Sequence, residues 1–152
     1  MTSLILNQIF DVNAQKINGL LDRLTPENSQ NRINPQTGTA GFYMRHIAEA
    51  QIMLSKRLFG TETSLPYGKP LTLGVASDEG QLFDVTETKE LMELGYNTIK
   101  QFVATVPDEG WAKTVNSFWG EISLLDCFAR TLNHSAHHCG QIELAIKKGE
   151  KA

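Results

Sequence analysis

Residues 133–149 read NHSAHHCGQIELAIKKG and hold three of the chain's four histidines on what the spacing predicts to be one long helix. His134 and His138 stand four apart, so on a helix they project from one face a turn apart, with about 5–6 Å between their Cβ atoms. Two imidazoles so placed can share one metal ion. With Arg130 as zero and about 100° per residue, His134 falls at about 40° and His138 at about 80°, whereas Asp126, Asn133 and His137 crowd around about 300–340°. His137 therefore belongs to a polar strip. The pair at 134 and 138 opens onto the edge of a wide apolar arc containing Leu124, Cys127, Phe128, Leu132, Ile142, Ala145 and Ile146, the side that a bundle helix buries.

An isolated HxxxH pair is more often two helix histidines satisfied by hydrogen bonds, since buried imidazoles need partners. A third histidine shifts that balance. His46 lies in TAGFYMRHIAEAQIMLSKRLFG (39–60), where Phe42, Tyr43, Ile47, Ala50, Met53, Leu54 and Leu58 form an apolar stripe at helical spacing. His46 sits inside the stripe, one turn beyond Phe42 and Tyr43, and points inward too.

At 152 residues the chain has the size of one domain, 1–152, large enough to fold around its own core without metals or disulfides. A metal site can thus serve chemistry. Fourteen basic and 17 acidic residues give a net charge of −3 with no block of like charge, so neither DNA nor RNA binding is expected. The N-terminal MTSLILNQIFDVNAQKING lacks a basic leader and is interrupted by Asn7, Gln8 and Asp11, which predicts neither a signal peptide nor a membrane span. Cys127 and Cys139, about 18 Å apart along one helix, cannot pair with each other. That fits a reducing compartment, the cytoplasm.

Outward from the histidines, four helices emerge. Leu6, Ile9, Phe10, Ile17, Leu20, Leu21 and Leu24 mark a first helix over 3–24, closed by Thr25-Pro26. After a turn-rich stretch from 26 to 39, the second runs from about Ala40 to Phe59 with Gly60 as its stop. Residues 61–85 carry two prolines, three glycines and no sustained period, which predicts a crossover long enough to set the second and third helices parallel. Asp84-Val85-Thr86-Glu87 resembles a capping box for a third helix that ends near Val106-Pro107. The fourth is expected from Trp119–Glu121 to Lys148, after a connection over 107–118. With almost no strand signal, the fold class is an all-α four-helix bundle.

Three neutral imidazoles from two helices leave a coordination position open, as catalytic sites do. Nitrogen ligation suits Zn²⁺, Ni²⁺, Cu²⁺ or Fe²⁺ and not Mg²⁺ or Ca²⁺. A di-iron bundle would need several Glu ligands with Glu-x-x-His on two helices; only the reversed order occurs, once, at His46 and Glu49. Glu49 is then either a group supporting the ligands or a solvated helix residue. Gln141, about 20° on the wheel, either orients a ligand or bound water or merely caps the apolar edge. Cys127 lies two turns before His134, too far to ligate beside it, and Cys139 reads as a core residue. Gly140 is expected to permit close approach of a helix or ligand.

These residues resemble the DinB-like superfamily of bacterial metalloenzymes, the YfiT type, which includes thiol-dependent S-transferases and maleylpyruvate isomerase relatives. The likeness covers nearly the whole chain and rests on His46 in YMRHIAEAQ and on HSAHHCGQI, a His-x-x-x-His followed by Gly-Gln-Ile. His46, His134 and His138 fall on the family's metal positions, and His137 on its frequent non-ligating extra histidine. The resemblance implies an up-down-down-up bundle, a divalent metal that is often zinc or nickel, a low-molecular-weight thiol as cosubstrate, and a homodimer. The expected function is metal-dependent attack by a small thiol or water on an electrophilic small molecule, with Tyr43 and Gln141 as pocket groups. The alternative is a non-catalytic, stress-related metal-binding or interaction module that dimerises. A deep pocket over the open position favours the enzyme, and a sealed site favours the module. Trp111, Phe118 and Trp119, read as exposed-loop aromatics, add to the expectation of a dimer.

Overall fold

The computed structural model describes residues 1–60, 64–66, 68–75 and 83–151. Four helices carry it: α1 (Thr2–Leu21), α2 (Ala40–Phe59), α3 (Val85–Thr105) and α4 (Leu124–Lys148). Their directions follow from the contacts. Arg45 pairs with Glu87 near the starts of α2 and α3, and Phe59 stacks on Phe102 near their ends, so these two run parallel. The N-terminal amine meets Asp108 just beyond α3, and Asp11 meets Lys100, so α1 opposes α3. Phe10 meets Phe128 and Lys16 meets Glu143 further along both helices, so α1 and α4 run together. The result is the all-α, up-down-down-up bundle expected from the sequence. Of the crossover, residues 61–63, 67 and 76–82 lie outside the described residues, as does the side chain of Leu58.

Local chemistry sets the helix ends. Thr39 caps α2 by accepting from the Phe42 N–H, and Gly60 ends it in the left-handed region at φ 65°, where only glycine sits without strain. Asp84 caps α3 through the Glu87 N–H at 2.8 Å. The expected capping box is only half made, because the Glu87 carboxylate turns to Arg45, 2.5 Å away. α1 stops at Leu21, short of residue 24, where Asn28 takes the Arg23 carbonyl and exchanges bonds with Thr25.

The largest departure from expectation precedes α4. Helix was expected from Trp119–Glu121, but β2 (Thr114–Ser117) and β3 (Gly120–Ser123) pair as a hairpin whose two-residue tip is Phe118-Trp119. Gly120 follows at φ 88°, and Ser123 caps α4 by accepting from the Asp126 N–H at 3.0 Å. A second small pair joins β1 (Asn31–Arg32) to β4 (Glu150–Lys151).

Two main apolar clusters build most of the core, with a smaller third around Ala50, Leu54 and Cys127. One contains Ile17, Leu20, Met44, Ile47, Leu91 and Ile142, and the other Phe10, Ile99, Val103, Trp111 and Phe128. Each such side chain contributes about 1.5–3 kcal/mol on burial, and no histidine belongs to either cluster. Trp111 is therefore not a loop aromatic seeking cover: it is 2% exposed, with its indole N–H donated to Ser3 Oγ. Cys139 packs in the first cluster, and burial pushes its thiol up to about 11. Among the described residues no helix is long and apolar enough to cross a membrane.

Candidate metal centre

α2 and α4 cross antiparallel, which brings His46 of one against His134 and His138 of the other. His46 Nε2 lies 3.1 Å from His134 Nε2, and His138 Nε2 lies 3.2 Å from the same atom. The other nitrogens of two rings are engaged elsewhere. His46 Nδ1–H donates to the Thr72 carbonyl at 3.3 Å, and His138 Nδ1–H donates to Gln141 Oε1 at 2.6 Å. A neutral imidazole has one donor and one acceptor nitrogen, so His46 and His138 both turn acceptor lone pairs on His134 Nε2. That atom can carry one proton at most. At least one of the two lone pairs is therefore left without a proton of its own, a shortfall that a cation among the three nitrogens would relieve.

The spacing fits one ion. All three ligand atoms lie within 4.8 Å of one another, and the two pairs that share His134, 3.1 and 3.2 Å apart, would each subtend about 100° at a metal about 2.0–2.1 Å from its donors, between octahedral and tetrahedral angles. Burial lowers the pKa of all three imidazoles, and neighbouring rings push His134 and His138 further, to about 4 each. They are neutral at neutral pH, the state in which imidazole ligates.

The surrounding side chains hold the rings. Phe42 stacks on His46 at 6.0 Å between centroids and Tyr43 on His138 at 5.1 Å. The Tyr43 hydroxyl turns away and accepts from the Gly38 N–H, so Tyr43 shapes the site with its ring and not as a polar pocket group. Gln141 orients His138. His137 is exposed, its ring centre 5.2 Å from that of His138, and it stays outside the cluster.

Glu49, which the sequence left open, is fully buried. Its carboxylate accepts from Leu71 N, Thr72 N, Thr72 Oγ1 and Arg45 Nε, at 2.6 to 3.1 Å. Burial alone would raise its pKa, but the bonds from Thr72, Leu71 and Arg45 outweigh this and hold it below the usual carboxylate value. Glu49 thus fixes the strand of crossover whose Thr72 carbonyl orients His46, a support of the kind that tunes metal ligands.

Cys127 is buried against Ala50 and Leu54 and is not in the cluster. Gly140 is exposed, and a Cβ there would meet nothing within 4 Å. The expected close approach of a helix or ligand is therefore not found among the described residues.

A pocket of about 250 Å³ opens onto His46 and His134. Its walls include Phe118 and Trp119 from the hairpin tip and Leu73 from the crossover, none of them anticipated as site residues. The hairpin had a legible signal, since an apolar pair followed by glycine lies between Thr-Val and Glu-Ile-Ser. Nothing local marks Leu73 or the Thr72 carbonyl, because their roles arise only through Glu49.

No match to the chain was found among curated proteins. The model of the DinB superfamily, however, matches residues 9–142, a span that takes in α2, most of α4 and all three clustered histidines. The chain belongs to the DinB superfamily, a metal-binding family.

Proposed function

We propose that His46, His134 and His138 hold one divalent transition-metal ion, zinc or nickel, and that the protein is a metal-dependent enzyme acting on an electrophilic small molecule. The pocket opening onto His46 and His134 is the observation that carries this reading over a sealed, non-catalytic site. Bound there, the ion supplies Lewis acidity, favouring the anion of a thiol or water over its conjugate acid near neutral pH. The chain's own part is positional. Thr72 and Gln141 fix the tautomers of His46 and His138, and the stacked Phe42 and Tyr43 rings limit their rotation. Among the described residues, the only titratable side chains lining the pocket are the two histidines, so no carboxylate there competes as a base.

The nucleophile we favour is a low-molecular-weight thiol. In its transfer the thiol proton goes to solvent, a carbon–sulfur bond forms, and the leaving group departs with the electron pair of its bond to carbon. Water in place of the thiol would make the reaction a hydrolysis. The test is spectroscopic. Co²⁺-substituted protein given a small thiol should develop intense sulfur-to-cobalt charge-transfer absorption and release about one proton per thiol. No spectral change with several thiols, in protein shown to contain cobalt, would remove transfer and leave hydrolysis.

We also place the protein in the cytoplasm as a homodimer. Both cysteines are free and buried, which supports a reducing compartment. Leu4, Ile5, Ile9 and Val12, close together on one side of α1, are 46 to 68% exposed, an apolar strip of the kind that marks an interaction face. Sedimentation should give twice the chain mass, and a Val12→Glu, Ile9→Glu double variant should sediment as a monomer. A monomeric parent at all concentrations refutes the dimer.

A further inference from the structure

The pocket beside the histidines has a chemistry of its own. Met53 and Leu54 of α2, Leu73 of the crossover and the hairpin tip Phe118-Trp119 all line it. No acidic or basic side chain lines it among the described residues apart from the two imidazoles. The tip is aromatic yet outside the core, with Phe118 58% and Trp119 42% exposed. It is nonetheless fixed. Ser117 Oγ donates to the Gly120 carbonyl and accepts from the Trp119 N–H. The Arg57 guanidinium lies 3.7 Å from the Phe118 ring centre, and that of Arg130 lies 5.2 Å from the Trp119 ring centre. Cation–π contacts at such distances hold aromatic faces in place from outside, leaving the guanidinium charges off the pocket lining.

Resting on the catalytic reading above, we propose that this pocket binds the co-substrate that is attacked, and that this molecule is neutral, apolar and aromatic in size. The volume lies below the about 300–1,000 Å³ of pockets for drug-sized ligands, which suits a one- or two-ring molecule. Planar aromatic surface matches Phe118 and Trp119 by offset or edge-to-face stacking. A charged molecule would leave water for a wall with no counter-ion, at a cost that apolar contact does not offset. Seated there, the molecule presents one end to His46 and His134 and is covered by the hairpin tip.

Trp119 reports on this directly, because the only other tryptophan, Trp111, is buried elsewhere. Metal-loaded protein is titrated with p-nitrotoluene, a neutral, unreactive quencher, and with p-nitrobenzylammonium, its cationic counterpart. Saturable quenching by p-nitrotoluene is expected, with affinity about tenfold or more above that for the cation. Met53→Lys should weaken p-nitrotoluene binding about tenfold or more by placing a charge in the wall. Phe118→Ser, at an exposed position where folding is not at stake, should weaken it about fivefold. Non-saturable quenching, equal affinity for the two probes, or unchanged binding in Phe118→Ser overturns the proposal. Saturable binding without any thiol response at cobalt keeps the pocket and removes the transfer reading. A thiol response without p-nitrotoluene binding overturns the pocket alone.

Discussion

Replacement of His46, His134 or His138 by alanine is expected to remove stoichiometric metal from protein purified without an affinity tag, while His137→Ala retains it. The expected loss exceeds the about 10–100-fold that follows removal of a supporting group, because each of the three supplies a nitrogen to the same small volume. His46 Nε2 and His138 Nε2 each lie within 3.2 Å of His134 Nε2, so His134→Ala removes the atom that both others face. None of these variants should unfold. The two main apolar clusters contain no histidine, and alanine is the best helix former. Circular dichroism should show the same helical signal in all four variants and in the parent with a chelator. Elemental analysis decides the ligand set: equal metal loss in all four variants would place His137 among the ligands, and metal kept in His134→Ala would sink the site.

What could be read from the chain beforehand divides along the range of the interactions. α2 was legible almost to the residue, because Thr39, the apolar stripe and Gly60 are all local signals. The inward faces of His46, His134 and His138 followed from helical period alone, whereas the length of the crossover only allowed α2 and α3 to run parallel, and the order itself came from the family resemblance. Failure came where a distant partner decides. Trp111 is core because Ser3 and Phe128 receive it, and α4 starts at Leu124 because residues 114–123 pair with each other. Gly140 misleads: helical glycine signals a close approach only if something stands opposite, and none of the described residues does. Glu49 stood undecided because a buried and a solvated glutamate look the same in sequence until Leu71 and Thr72 are placed above it.

Glu49 carries the last of the large effects. Glu49→Ala would leave the buried Arg45 guanidinium, 3% exposed, with Glu87 as its one carboxylate partner among the described residues, and would strip the Leu71 and Thr72 N–H groups and Thr72 Oγ1 of their acceptor. Breaking a buried pair from one side costs about 3–5 kcal/mol. Glu49→Gln keeps the shape but turns an amide NH₂ toward groups that also donate, so it should lose part of that amount. Both variants free the segment whose Thr72 carbonyl holds His46 Nδ1, and metal affinity should fall about 10–100-fold. Chelator competition measures this apart from denaturant stability, and lower stability with unchanged affinity would show Glu49 to be purely structural. The pH dependence has a defined sign. Because the folded-state pKa of Glu49 is depressed, its contribution is complete above its unfolded pKa and is lost as pH falls through the folded value. Glutamine does not titrate, so the stability gap between the parent and Glu49→Gln should be widest near neutral pH and close on acidification. A gap that stays constant into acid would mean that the pKa of Glu49 is the same folded and unfolded, and a gap that widens on acidification would mean that Glu49 is protonated in the folded protein and that its bonds to Thr72 and Leu71 do not need the charge.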